Sequence, residues 1–375
     1  MRGEVLKFAD MAAAEWNGCF GDEAENHAYY AACEDLPDLR YRMGALRIVE
    51  NGRTLAVAPW FLLDYRLDTS LQGRARQFTD KIAAHLPRLL SLRALALGSP
   101  LAERCHIGFA PDLTPSQREA AFKFLMQTLD QHGRSLGASL TGIKDLAAPD
   151  EAGLVATLTE AGFARMASLP VAIVDLPFAT PDEYLASLSP NMRSTMRRKL
   201  KRRARVRFEL RENVEGLESQ LAGLYRATQA QSGEDYGDLE HLPEGYFGAV
   251  LKALPGRALV SLYWVDDTLA AFNLLLLEPN RTIDKFVGMR YPLAREHDLY
   301  YLRWMDAVSY CLQNHIPALQ AGQTAYREKL RLGARLVESA IYFKHRNPLL
   351  NTALRLLSRY IAFDDADPTL KALKS

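Results

Sequence analysis

The sequence predicts a mixed α/β protein built from two similar units, and three observations carry that expectation. Segments with helical apolar spacing alternate with extended apolar runs along the whole chain. Both halves close in one order: a long helix, a strand, a helix stopped by glycine, then a β run, with "EAGFARM" (160–166) locally similar to "RLGARL" (331–336). A chain of 375 residues suits two domains better than one. The expected division is a first unit over 1–176, a second over 177–346 and an amphipathic tail over 347–375, with the joint near Pro177.

The first unit opens with a helical stretch around 8–34. Two extended runs then flank Asn51-Gly52, a pair suited to a hairpin turn because both turn positions need φ > 0. "LRALALGSP" (92–100) follows, and then a loop through Pro111. A helix begins near Pro115, with Phe122, Leu125, Met126 and Leu129 on one face. "ASLTGIKDL" is a strand, "DEAGLVATLTEAGF" a helix ending at Gly162, and "ARMASLPVAIVDLP" is extended again.

The second unit starts with a basic helix over 190–205, and "RVRFELREN" is extended. Helices at 214–231 and 245–253 flank the polar loop "QSGEDYGDLEHLPEG". Strands at 257–265 and 268–278 meet at a tight Asp266-Asp267 turn. "RTIDKFVGM" is a strand, "DLYYLRWMDAVSYCLQNH" a helix and "IPALQAG" a strand. A short helix, "AYREKLRLG", ends at Gly333, and "ARLVESAIYFKHR" is extended. In the tail, Leu349, Leu350, Ala353, Leu354 and Leu357 form one apolar helical stripe, with Arg355 and Arg359 on another face. Such a stripe docks on its own protein or, as a basic amphipathic helix, touches a membrane surface.

Composition narrows the function. Apolar residues make up 48% and charged residues 24%, the balance of an ordinary soluble domain. The N-terminus has no apolar run suited to a signal peptide, and no segment is long enough to span a bilayer, so a cytoplasmic location is expected. The four cysteines are scattered and read as buried thiols, and the eight histidines form no H-E-x-x-H, so no metal site is expected. Phosphate-loop, dinucleotide-binding and G-x-S-x-G signatures are missing, so no permanently bound cofactor is expected.

The strongest single signal is the run from Arg193 to Arg207, where nine of fifteen residues are Arg or Lys in a chain of net charge +1. Met192, Met196 and Leu200 recur every four residues through it, the mark of a docked surface helix. Self-repulsion on this scale is costly without an anionic partner, and no aromatics interleave for base stacking. A phosphate-bearing ligand fits: tRNA, CoA or a carrier-bound acyl group.

Three passages of the second half together resemble the acyltransferase domains of the GNAT superfamily, in particular its FemAB-like branch with two GNAT units in tandem. They are "LSPNMRSTMRRKLKR", "VDDTLAAFNLLLLEPNRTIDKFVGMR" and "QAGQTAYREKLRLGA". "LRALALGSP" and "TLTEAGFARMASLPVAIVDL" are similar to parts of the leading unit. The resemblance implies two GNAT-like units, each a mixed central sheet flanked by helices. It also implies transfer of an acyl or aminoacyl group from acyl-CoA, aminoacyl-tRNA or an acyl carrier protein to a small-molecule or peptide amine. Acetyl-CoA users of the superfamily hold pyrophosphate on a glycine-rich loop. The corresponding "MRYPLAREHDLYYLRW" has no glycine after Gly288, which argues against free CoA.

Acyl transfer needs a held carbonyl, a deprotonated amine and positive charge near the oxyanion. The resemblance nominates Lys329 for that charge, with Tyr326 beside it in the tyrosine–lysine–glycine ending. His297, with Glu296, sits before a helix where a general base would serve, and Asp298 suits that helix's N-cap. Arg193, Arg197, Arg198, Lys201, Arg290 and Asp298 are the candidates for donor binding. Glu234, Asp235 and Tyr236 lie in the loop that matches the acceptor-covering loop of GNAT folds; Glu234 and Asp235 would hold an ammonium, with Tyr236 stacking beside it. Asp284 and Lys285 are strand neighbours, so at most one is expected to face a cleft. Each of these residues also suits a solvated surface, and a nucleic-acid-binding or interaction protein on an inactive GNAT scaffold is the alternative.

Overall fold

The structure is a computed structural model and describes residues 1–66, 91–232, 241–358 and 367–374. Its strands are β1 (Arg2–Leu6), β2 (Arg42–Glu50), β3 (Arg53–Arg66), β4 (Ser91–Leu97), β5 (Gly108–Phe109), β6 (Leu140–Ala147), β7 (Ala164–Ala167) and β8 (Val171–Asp175). The second half adds β9 (Arg207–Arg211), β10 (Ala258–Val265), β11 (Thr268–Leu277), β12 (Thr282–Met289), β13 (Ala318–Gly322), β14 (Arg335–Val337) and β15 (Ser339–His345). The α-helices are α1 (Ala13–Asn17), α2 (His27–Glu34), α3 (Pro115–Ser135), α4 (Ala148–Glu151), α5 (Val155–Glu160), α6 (Pro181–Ser187) and α7 (Pro190–Leu200). They continue with α8 (Glu218–Ser232), α9 (Tyr246–Ala253), α10 (Leu293–Glu296), α11 (Leu299–Gln313), α12 (Tyr326–Arg331), α13 (Pro348–Leu357) and α14 (Pro368–Lys374).

The expected mixed α/β architecture of two sheets is present, with local chemistry fixing many of the boundaries. Asn51 and Gly52 both take positive φ in the β2–β3 turn. Thr114 and Gln117 form a reciprocal capping box at the start of α3, and Ser189 caps α7 ahead of Pro190. Helices α5 and α12 stop at Gly162 and Gly333, with φ of 80° and 87°. The helical stretch expected around 8–34 is broken into a 3-10 turn at Phe8–Asp10 and the short helices α1 and α2. It is preceded by β1, which pairs with β2.

The first sheet runs β1-β2-β3-β4-β6-β15-β7, with β5 on β3, and the second runs β14-β8-β13-β12-β11-β10-β9. The two sheets therefore exchange strands. β8, from the first half, pairs with β13 and β14, whereas β15, from the second half, pairs with β6 and β7. Each switch follows a short strand after the helix-ending glycine, at Ser168–Pro170 and at Glu338. Strands thus cross the boundary expected near 177 in both directions.

One apolar cluster joins the units. It includes Phe8, Trp16, Tyr29 and Tyr30 of the first half with Tyr246, Phe247, Phe272 and Ile283 of the second. Separate clusters lie under α3 in the first unit and under α11 in the second, where Met192 and Met196 of α7 are buried as their spacing predicts. Cys33, Cys105 and Cys311 are buried, whereas Cys19 is only partly so.

Candidate active site

A parallel strand pair opens in the second unit. β12 and β13 are in register only at Thr282↔Leu319 and Ile283↔Gln320, and they part at Asp284. The corresponding pair in the first unit, β4 and β6, stays in register from Ala94↔Leu140 to Leu97↔Ile143, the last residue of β4. A cavity of about 1010 Å³ lies where β12 and β13 part, walled by β3, β4, β6 and β15 of the first sheet and by β12, α8 and α11 of the second.

Lys329 reaches this cavity from α12. Its side chain is buried, and Nζ donates to the carbonyl oxygen of Gln323 at 2.7 Å. Burial pulls its pKa down to about 8; Glu103 and Asp284 push it back up, and Arg303 adds to the depression. Glu103 comes from the first unit. It accepts from Gln320 Nε2 at 3.0 Å and from the Gln323 backbone N–H at 3.2 Å. Gly322 makes that approach possible, because a Cβ there would stand 2.4 Å from Glu103 Oε1, and its φ is +76°. The loop after it keeps Thr324 and Ala325 at positive φ while it wraps the Lys329 ammonium.

Asp284 pairs with Arg303 of α11 in a fully buried ion pair. Arg303 also lies 4.9 Å from the ring centroid of Tyr300 and donates to Asn273 at 3.4 Å. Asp284 and Lys285 both line the cavity, contrary to simple alternation. The register shifts there, with Leu274 opposite Phe286 and Leu275 opposite Asp284, so Lys285 is the extra residue of a β-bulge. Lys285 in turn holds Glu25 at 2.6 Å, a second buried ion pair tying the units together.

A second concavity, of about 560 Å³, is lined by Arg198, Lys199, Lys201, Arg202, Arg205 and Asp298. It lies where α7 and the 3-10 turn Lys201–Arg205 meet the start of α11. Asp298 does occupy the N-cap position, but in a left-handed conformation and without capping the helix. Its carboxylate instead takes Lys199 and Arg202. The backbone N–H groups of residues 294–298 are all bonded inside the 290–298 loop, to the carbonyls of Arg290, Pro292, Leu293 and Arg295. Along α11, Asp298 and Arg303 stand roughly 7 Å apart in axial rise, so one helix start borders both concavities.

Of the residues expected at the site, Lys329 reaches the cavity, and Arg198, Lys201 and Asp298 reach the basic concavity. Tyr326 does not line the cavity: it is buried, and its hydroxyl donates to the Pro170 carbonyl at 2.8 Å, tying α12 to the approach to β8. His297 ends α10 outside the cavity lining. Arg193 donates to the Ala186 carbonyl, Arg197 is exposed outside both concavities, and Arg290 bonds the Leu269 carbonyl at 3.4 Å. Glu234, Asp235 and Tyr236 lie outside the described residues, although Gln231 and His241 on either side of them line the cavity. Sequence reasoning missed Glu103, Arg303, Lys199, Arg202 and Arg205. For Arg303 a signal existed, since it interrupts an otherwise apolar helix face while Asp284 interrupts an apolar strand. Among the described residues no cluster of His, Cys, Asp and Glu is arranged to hold a metal ion.

The fold has counterparts among known proteins. Residues 190–330 match the family model of an acetyltransferase (GNAT) domain. The crystal structure of FemX superposes with a TM-score of 0.61 at 13% identity, covering 95% of this chain and 100% of that one. A tandem GNAT protein from the clavulanic acid biosynthesis pathway gives 0.53 at 11% identity over 92% and 99%. The C-terminal domain of a putative lysylphosphatidylglycerol synthetase from Agrobacterium fabrum gives 0.52 at 13% over 91% and 92%. No curated protein matches the chain. A GNAT domain is thus matched over 190–330, and the fold of nearly the whole chain is like that of FemX and of a tandem GNAT protein.

Proposed function

We propose that the chain is an N-acyltransferase that moves an acyl or aminoacyl group from a phosphate-bearing donor to an amine, with the reacting groups in the second unit. The observation that carries this reading is Lys329, a buried cation facing a cavity at the parting of two parallel strands. An ammonium fixed beside a carbonyl stabilises the oxyanion that forms during attack. Glu103 and Asp284 are the carboxylates near it, suited to hold an acceptor ammonium or to take its proton. Glu234, Asp235 and Tyr236 keep their proposed part in covering the acceptor. A cytoplasmic location belongs to the same reading.

The donor in this reading is an aminoacyl-tRNA or a carrier-bound acyl group rather than free acyl-CoA. A conventional CoA site needs free backbone amides, and those of residues 294–298 are already spent within the loop. The five cations of the basic concavity favour a larger polyanion. The test is titration calorimetry with acetyl-CoA, bulk aminoacyl-tRNA and acylated carrier protein at physiological salt. Acetyl-CoA should bind no better than about 0.1 mM, roughly −5.5 kcal/mol. If aminoacyl-tRNA is the donor, changing Arg198, Lys201 and Arg205 together to Gln should lower the salt slope of its binding by up to about three. Low-micromolar acetyl-CoA binding would overturn the donor assignment. Tight tRNA binding without transfer to any amine would favour the inactive-scaffold alternative.

A further inference from the structure

Helix α13 leaves three of its described leucines exposed. Asn347 caps it. Asn351, one turn on, donates to the Gly162 carbonyl at 3.0 Å and accepts from the His345 backbone N–H at 2.9 Å. Among the described side chains of the helix, Asn351, Leu354 and Ser358 are half-buried, so its seated edge carries two polar residues and one leucine. The leucines of the opposite stripe face solvent: Leu349 is 81% exposed, Leu350 51% and Leu356 55%. A stripe of this kind costs solubility unless something covers it.

The charges beside the stripe indicate what covers it. From Lys344 to Ser358 the chain has no acidic residue, whereas Lys344, Arg346 and Arg355 are exposed along it. The nearest described carboxylate that follows, Asp367, caps α14 through the Thr369 and Leu370 amides. Aliphatic side chains bordered by cations match the interface of an anionic bilayer, where leucines enter the acyl boundary and basic groups stay with the headgroup phosphates. We propose that α13 docks the protein on an anionic lipid surface through Leu349, Leu350 and Leu356, with Lys344, Arg346 and Arg355 at the headgroups. The same helix lends Leu354 and Ser358 to the cavity wall, so docking holds the cavity beside the bilayer. The inference stands on the exposed stripe and its charges, independently of the chemistry proposed for the cavity.

Vesicle flotation of the full chain tests it, using vesicles of phosphatidylcholine alone and of equal parts phosphatidylcholine and phosphatidylglycerol. The protein should float with the anionic vesicles and not the neutral ones, and high salt should release it. Leu349→Glu with Leu356→Glu alters only exposed positions and should cut the bound fraction at least about tenfold while leaving the thermal midpoint in place. Arg346→Gln with Arg355→Gln should weaken binding to anionic vesicles by a smaller factor. Failure to bind anionic vesicles would overturn the proposal, as would equal binding to neutral ones or binding that the leucine variant leaves unchanged. A monomer–dimer equilibrium abolished by the leucine variant, without lipid binding, would assign the stripe to a second copy of the chain instead.

Discussion

Leu158 and Lys329 hold the same place in the two halves of this molecule. Each lies four residues before a helix-ending glycine, and the carbonyl of each accepts the backbone N–H of the residue after that glycine, Phe163 at 3.0 Å and Ala334 at 3.0 Å. One backbone motif is thus put to two uses. In the first unit the side chain is an aliphatic plug in the cluster beneath α3, beside a strand pair that stays closed to the end of β4. In the second it is a buried cation at a strand pair that parts. Repeating a fold repeats its backbone hydrogen bonds but not its chemistry. A leucine there consolidates a core, whereas a buried lysine there costs stability.

The sharpest way to stress the contrast is to break the polar core of the second unit. Arg303→Met leaves Asp284 buried without its partner and should cost about 3–5 kcal/mol, read as a fall in denaturant midpoint. Adding Asp284→Leu should recover most of that stability while leaving the protein inactive. Recovery of activity in the double variant would remove the pair from the site. In the first unit, Leu158→Ala should cost about 2–5 kcal/mol through lost burial and the cavity left behind. Turnover per folded molecule should stay at the wild-type level, and a loss of turnover below the unfolding range would show that the first unit also holds reacting groups.

The smallest expected effect is one of pH. The Lys329 ammonium titrates near 8 in the folded chain, against an ordinary lysine value of 10.5. If the charged form works, turnover should fall above pH 8 by about tenfold per unit as the proton is lost. Between about 8 and 10.5 the unfolded chain binds that proton more firmly, so this group's contribution to stability rises with pH over the same window. Turnover and the lysine's share of stability should therefore move in opposite directions, and a Lys329→Met protein should show neither trend. Activity that climbs through pH 8 and stays high would identify the neutral amine as the working form.

Much of this could be read from the residues, and what escaped did so for local physical reasons. Apolar periodicity located α3, α7, α11 and the β10–β11 hairpin, whereas Lys329 was nominated by the resemblance of its tyrosine–lysine–glycine ending and not by its own spacing. The β-bulge at Lys285 did not show, because a single extra residue leaves the apolar pattern almost unchanged while it reverses which side chains face the cavity. The strand exchange was hidden for a similar reason. "ARLVESAIYF" reads as one extended run, yet β14 and β15 belong to different sheets, and the partner of a strand is not written in its own alternation. Tyr326 sits three residues from Lys329 in a familiar-looking ending, and only the Pro170 carbonyl reveals that its hydroxyl is a structural tie. Glu103 lies more than two hundred residues from the groups it joins at Gln320 and Gln323.

The proposed chemistry belongs to the second unit and passes through Lys329. Single-turnover transfer from the donor that the wild-type protein uses, compared in Lys329→Ala and Leu158→Ala proteins at a temperature where both are folded, tests it most directly. Lys329→Ala should lose about 10²-fold or more, roughly 3 kcal/mol of transition-state stabilisation, and Leu158→Ala should keep the wild-type rate. A Lys329→Ala protein that transfers at the wild-type rate would contradict it.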